Sequence, residues 1–97
     1  MARRARDEVV AGLKRAGFRL LPHKGDHDFY ALYVNETKTP IKTKVSRGSH
    51  GAEISRKILG FMAEQVKLEF RDFERLIDGD MGHLEYVNKL REKGVLK

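Results

Sequence analysis

The sequence predicts an α+β fold, a two-layer sandwich in which three antiparallel strands pack against helices. Its 97 residues make up one domain's worth of chain, and 40% of them are apolar, an ordinary share for a globular protein. Apolar residues recur at helical spacing near both ends, and strand-like segments on short polar connections lie between them. Consecutive strands on short connections form an antiparallel meander, so the predicted order is α-β-β-β-α with two added helices.

The first third of the chain predicts a helix, a short strand and a turn. Apolar residues at helical spacing predict the helix over residues 3–16, and Gly17 is a suitable left-handed stop for it. The strand is predicted over 18–21, and Pro22 ends it because proline cannot donate a hydrogen bond to a ladder. Residues 23–28 are then the connecting turn.

The middle of the chain predicts two longer strands. Residues 29–34 are rich in aromatic and β-branched side chains, 35–40 form a polar loop, and 41–46 alternate strictly. In that last strand Ile41, Thr43 and Val45 lie on one face, which is mostly apolar. The other face carries the lysines and consists of Lys42, Lys44 and Ser46. We expect the first face to be buried and the second to meet solvent or phosphate.

The remainder is predicted to be helical after a flexible basic loop at 47–51. A helix is expected over 52–66, and Gly60 within it suggests a close packing contact. Its predicted buried stripe is Ile54, Ile58, Phe61, Met62 and Val66. Two shorter helices follow, and Asp80 is the expected N-cap of the last one.

Charge is unevenly distributed along this basic chain, whose formal net charge is +6. Residues 1–57 hold 13 Lys and Arg against 6 Asp and Glu, whereas residues 58–97 hold 7 against 8. A basic half beside a neutral half favours a face that binds a polyanion such as nucleic acid. The chain has no cysteine and no long apolar run, so we expect a cytoplasmic protein without a membrane span or secretion signal.

Two short motifs resemble a known family. Leu13-Lys14-Arg15-Ala16-Gly17-Phe18, followed by Lys24-Gly25-Asp26-His27, is similar to the HicA (YcfA-like) mRNA interferase toxins. The resemblance implies a fold like that of double-stranded-RNA-binding domains, cleavage of mRNA without a cofactor, and silencing by a HicB-like antitoxin protein. It covers residues 8–66 of a single predicted domain, 1–97, and leaves 67–97 as a helical extension.

The resemblance implies that His27 is the catalytic residue and Gly25 its turn residue. Histidine suits RNA cleavage because its pKa of about 6.5 lets it take a proton from a ribose 2′-hydroxyl near neutral pH. Asp26 departs from the family, which has a small hydroxyl residue before the histidine. The cations expected to hold RNA phosphates are Lys24, Lys42, Lys44 and Arg47.

Several alternatives remain open on sequence grounds. His23 could assist as a second acid or base, His50 could touch phosphate, and His83 is expected to be structural or exposed. A metal site would need ligands drawn from His23, Asp26, His27 and Asp28, and Tyr30 or Tyr33 could stack on a base. The same fold could also serve as a non-catalytic RNA-binding module or as a protein-interaction subunit.

Overall fold

The computed structural model describes residues 3–22, 25–46 and 53–96. Those residues form an α+β fold with four helices, a three-stranded antiparallel sheet and a second sheet of two short strands. In chain order the elements are β1 (Arg4–Ala5), α1 (Arg6–Arg15), β2 (Phe18–Leu20), β3 (His27–Val34), β4 (Thr37–Ser46), β5 (Glu53–Ile54), α2 (Arg56–Gln65), α3 (Phe70–Asp78) and α4 (His83–Glu92). Within the described ranges, every helix is too short or too polar to cross a membrane.

The central strand of the larger sheet is β3, which pairs antiparallel with β2 on one side and β4 on the other. It begins two residues earlier than predicted, and His27 pairs with Ser46 of β4. The prediction that His27 and Asp28 belong to a turn is therefore wrong. Their intrinsic strand propensity is low, but pairing with the long β4 strand overrides it.

The predicted loop at 35–40 is also mostly strand. Only Asn35 and Glu36 form the turn, with φ of 52° and 66°, and β4 starts directly after them. Pro40 is tolerated because β4 is an edge strand, and the register of its pairing with β3 shifts nearby. The predicted alternation is confirmed, since the buried positions are Ile41, Thr43 and Val45 and the exposed ones Lys42, Lys44 and Ser46.

Two predicted helices start later than expected, because the residues before them pair with each other. Arg4–Ala5 pairs antiparallel with Glu53–Ile54, so neither segment is helical. The helix predicted over 52–66 begins instead after Ser55, whose hydroxyl accepts a hydrogen bond from the Ile58 amide at 3.3 Å. Strands of two residues show no periodicity in the sequence, and their partners lie about 50 positions away.

Glycines end α1 and α3 and precede α4. Gly17 and Gly79 have φ of 107° and 86°, a region that glycine enters without steric cost. The prediction that Asp80 is the N-cap of α4 is wrong, since Gly82 occupies that position and no side chain among the described residues caps the helix.

One hydrophobic core is shared by a face of the larger sheet and all four helices. The Phe18 and Tyr86 rings stack within it at a centroid distance of 5.9 Å. α1 approaches α3 most closely at Gly12, where an added Cβ would lie 2.6 Å from the Ile77 Cα. Phe73 is fully buried, so α3 contributes to the same core as α1.

The buried stripe of the helix predicted over 52–66 is confirmed at Ile54, Met62 and Val66 but not at its other two positions. The side chains of Ile58 and Phe61 are 45% and 49% exposed. The buried positions have the i, i+3, i+4, i+7 spacing and are Leu59, Met62, Ala63 and Val66. The predicted close contact at Gly60 is wrong, because no described atom outside its own helix lies within 4 Å of a Cβ built there.

Candidate nucleic-acid interface

The face of the larger sheet opposite the core combines cations with an aromatic ring. Strand alternation places Lys42 and Lys44 on this outer face, and both are exposed. Phe29 of β3 is paired with Lys44, and the Nζ of Lys42 lies 6.0 Å from the centre of its ring. The Phe29 ring and both lysines therefore share one side of the sheet, and the Lys42 ammonium group lies at the separation of a cation–π contact.

A second cation and ring continue the outer face toward the other end of β3. The Arg19 guanidinium carbon lies 4.4 Å from the centre of the Tyr33 ring, and Arg19 also bonds Glu36 at 2.9 Å. Tyr30 is 3% exposed and belongs to the core, where burial is the main cause that raises the pKa of its hydroxyl. Of the two tyrosines considered for base stacking, only Tyr33 lies on the lysine-bearing side.

His27 lies at the start of β3, at the end of this outer face. Gly25, two residues before it, has φ of 119°, so the bend needs the conformational freedom of glycine. The His27 ring is half-buried and lines a cavity of about 360 Å³ together with Lys44 and Ser46. The opposite wall of the cavity comes from α2 and includes the exposed Phe61. One imidazole and one ammonium group thus meet at a partly apolar cavity.

Asp28, the carboxylate after His27, is engaged on the core side of the strand. It accepts a hydrogen bond from Arg6 at 2.9 Å, and the Arg6 Nε donates to the Ser46 carbonyl at 2.7 Å. These two hydrogen bonds connect the start of α1 to the start of β3 and to the end of β4. Asp26, by contrast, is exposed on the bend before His27.

Three of the four possible metal ligands, Asp26, His27 and Asp28, lie in the described part of the chain. Among the described residues, no group of three or more His, Asp or Glu side chains could hold a metal ion. Asp28 is paired with Arg6, and His23 lies outside the described residues.

Two of the predicted RNA-binding residues, Lys24 and Arg47, also fall outside the described residues, as does His50, which was considered as a further phosphate contact. The remaining predicted residues are described, and the structure places His27 and Lys44 at one cavity with Lys42 on the same sheet face. Gly25 occupies the bend that precedes them.

His83 has a structural position away from this face. Its Nδ1 lies 2.7 Å from the Ala16 carbonyl oxygen, at the end of α1. The ring covers Gly17 so closely that a Cβ there would overlap it. This contact explains why glycine is needed at that position for packing as well as for its positive φ.

The sequence analysis did not assign five contributors to the outer face and the cavity, namely Arg19, Phe29, Ile58, Phe61 and Gln65. The period of two along β3 puts Phe29 on the same side as His27 and was the available signal for it. The exposure of Ile58 and Phe61 had no sequence signal, because apolar residues at helical spacing normally predict burial.

Comparison with protein-family models, curated proteins and solved structures finds no match for this chain.

Proposed function

We propose that this protein is an RNA-binding, metal-independent endoribonuclease, the mRNA interferase toxin of a toxin–antitoxin pair. The observation that carries the proposal is the placement of His27 and Lys44 at one cavity, at the end of a sheet face that bears cations and aromatic rings. RNA cleavage by internal transesterification is accelerated by a general base and by a group that offsets charge on the phosphate, and His27 and Lys44 can supply these two functions.

In the proposed reaction His27 is the general base. Its neutral imidazole takes the proton of a ribose 2′-hydroxyl, and the resulting oxygen attacks the adjacent phosphorus. The bond to the 5′-oxygen breaks, leaving a 2′,3′-cyclic phosphate on one fragment and a 5′-hydroxyl, protonated by water, on the other. The ammonium group of Lys44 offsets the negative charge that develops on the phosphate oxygens. DNA, which lacks the 2′-hydroxyl, cannot react.

The rest of the outer face would hold the nucleotides that flank the cleaved bond. From His27 to Tyr33 the strand spans about 20 Å at roughly 3.3 Å per residue. Along this length Lys42 and Arg19 can pair with phosphates, while Phe29 and Tyr33 offer rings for base stacking. A charged face with interspersed rings is typical of single-stranded nucleic-acid binding.

The family resemblance extends the proposal beyond the site. Apart from the two-residue β5, which belongs to the smaller sheet, the order from α1 to α2 is α-β-β-β-α. This is the element order of double-stranded-RNA-binding domains, and we propose that arrangement for the HicA-like core. A HicB-like antitoxin protein is the proposed partner, and the cytoplasm, where mRNA is found, is the proposed location. A gene for such an antitoxin next to this one would support the pairing.

The test compares wild type with His27→Gln on a defined RNA in excess chelator. We expect wild type to cleave the RNA and to arrest growth when expressed, and the variant to do neither while binding RNA with the same salt dependence. Arg71→Gln, which removes an exposed cation from α3, is the control and should behave as wild type. Equal cleavage by wild type and His27→Gln would refute the assignment of the base.

A non-catalytic RNA-binding module is the second candidate, because the exposed carboxylate of Asp26 lies next to His27 in the chain and would repel a phosphate there. In that case wild type binds RNA but never cleaves it. A protein-interaction subunit would leave the mobility of RNA unchanged even at low salt.

A further inference from the structure

The cavity beside His27 has an apolar wall that the cleavage chemistry does not use. Ile58 and Phe61 lie one helical turn apart on α2 and line the cavity. They are among the few large apolar side chains in the described residues that remain about half exposed. Solvent-facing apolar side chains grouped at a concave site are characteristic of ligand binding.

The polar groups of the cavity are placed around this wall. His27, Lys44 and Ser46 lie on the strand side, and Gln65 lies on the helix side. One end of the Gln65 amide is held by the hydroxyl of the buried Thr43, so its other end remains to bond a ligand. An apolar wall with one amide and one cation suits a ligand whose planar ring carries hydrogen-bonding groups at its edge and is linked to an anionic group.

We infer that this cavity binds one unstacked nucleobase of single-stranded RNA, with the Phe61 ring as its stacking surface and Gln65 at its edge. The inference rests on the proposed function and names the form of RNA that the site accepts. A volume of about 360 Å³ lies near the small end of small-molecule sites, which span roughly 300–1,000 Å³. Lys44 at the same cavity complements the phosphate that a bound nucleotide carries.

The geometry then determines which RNA is cut. A base can enter the cavity only if it is not paired, because a paired base must first leave its stack at a cost of a few kcal/mol. With the base seated on Phe61, the attached ribose and phosphate lie at the His27 side of the cavity. Single-stranded or bulged RNA is therefore the substrate, and a continuous duplex is a poor one.

The experiment measures coupling between Phe61 and the base. Wild type, Phe61→Ala and Phe61→Trp are titrated with a short 2′-O-methyl RNA, which cannot be cleaved, and with a set of the same strands in which one abasic residue occupies each position in turn. Leu84→Ala is the matched control, because Leu84 is an exposed apolar residue on α4 that does not line the cavity. Phe61 is half exposed, so its truncation should leave the fold intact, which the melting temperature checks.

We expect Phe61→Ala and the abasic residue each to weaken binding by roughly 5- to 150-fold, the range for losing one base–aromatic stack. Combined, they should cost little more than either alone, because both remove the same contact. Phe61→Trp should retain binding and Leu84→Ala should match wild type. Additive losses, or equal effects of Phe61→Ala and Leu84→Ala, would overturn the inference.

Parallel cleavage assays separate this inference from the proposed function. If wild type cleaves RNA but shows no coupling at Phe61, the inferred base site is refuted and the proposed nuclease activity stands. If coupling is found but wild type does not cleave, the nuclease activity is refuted and the base site stands. Absence of RNA binding, as when the apolar wall serves a protein partner instead, overturns both.

Discussion

The close approach of α1 to α3 makes opposite predictions for the same substitution in two helices. Gly12→Ala places a methyl group 2.6 Å from the Cα of Ile77, a backbone atom that cannot turn aside as a flexible side chain could. Overpacking of this kind costs about 1–3 kcal/mol, which exceeds the gain of up to ~1 kcal/mol that alanine brings to a helix. Gly60→Ala meets open space among the described residues and should keep the whole gain.

Thermal and urea unfolding of the two variants measure this difference. In a domain of this size 1 kcal/mol shifts the melting temperature by about 4–8 °C. Gly60→Ala should therefore raise it by a few degrees, and Gly12→Ala should lower it by a similar or larger amount. If both variants gain stability equally, the reasoning fails, because helix propensity alone would then account for both glycines.

Three further predictions concern an ion pair, a buried hydroxyl and a surface cation. The hydrogen bond from Arg4 holds the pKa of the Asp78 carboxyl below its usual range, so this pair stabilises the fold while Asp78 is ionised. Arg4→Leu should therefore lower the free energy of unfolding measured in urea titrations. This loss should shrink as the pH falls below about 4, because Asp78 becomes protonated there. Tyr86→Phe removes the hydroxyl that donates to the Val66 carbonyl at 2.8 Å in the core, and should lower the free energy of unfolding by about 1 kcal/mol; an unchanged urea midpoint would contradict this. Lys44→Gln should reduce the slope of log binding constant against log salt by about 0.7, the value for one lost phosphate contact to single-stranded RNA, in fluorescence anisotropy titrations; an unaltered slope would place Lys44 away from the phosphates.

Much of the framework was predictable from local patterns. The alternation of Ile41 to Ser46 predicted both faces of that strand, and the structure confirms it. Gly17 was predicted as the stop of the first helix because of its backbone freedom, and its φ of 107° agrees. Boundaries set by distant pairing were not predictable, as at Arg4, where a presumed helix start is a strand paired with Ile54.

The candidate site divides in the same way. The lysines on one strand face were predicted from the alternation in the sequence, whereas the role of the histidine after the glycine bend was predicted from the family resemblance. The cavity could not be predicted, because it depends on the rotation of α2, which buries Leu59 and leaves Phe61 exposed. Helical periodicity indicates that one side of a helix is buried but leaves its angle of contact with the sheet undetermined. That angle depends on how the whole core packs, so only the tertiary structure decided that an aromatic ring faces the cavity of His27.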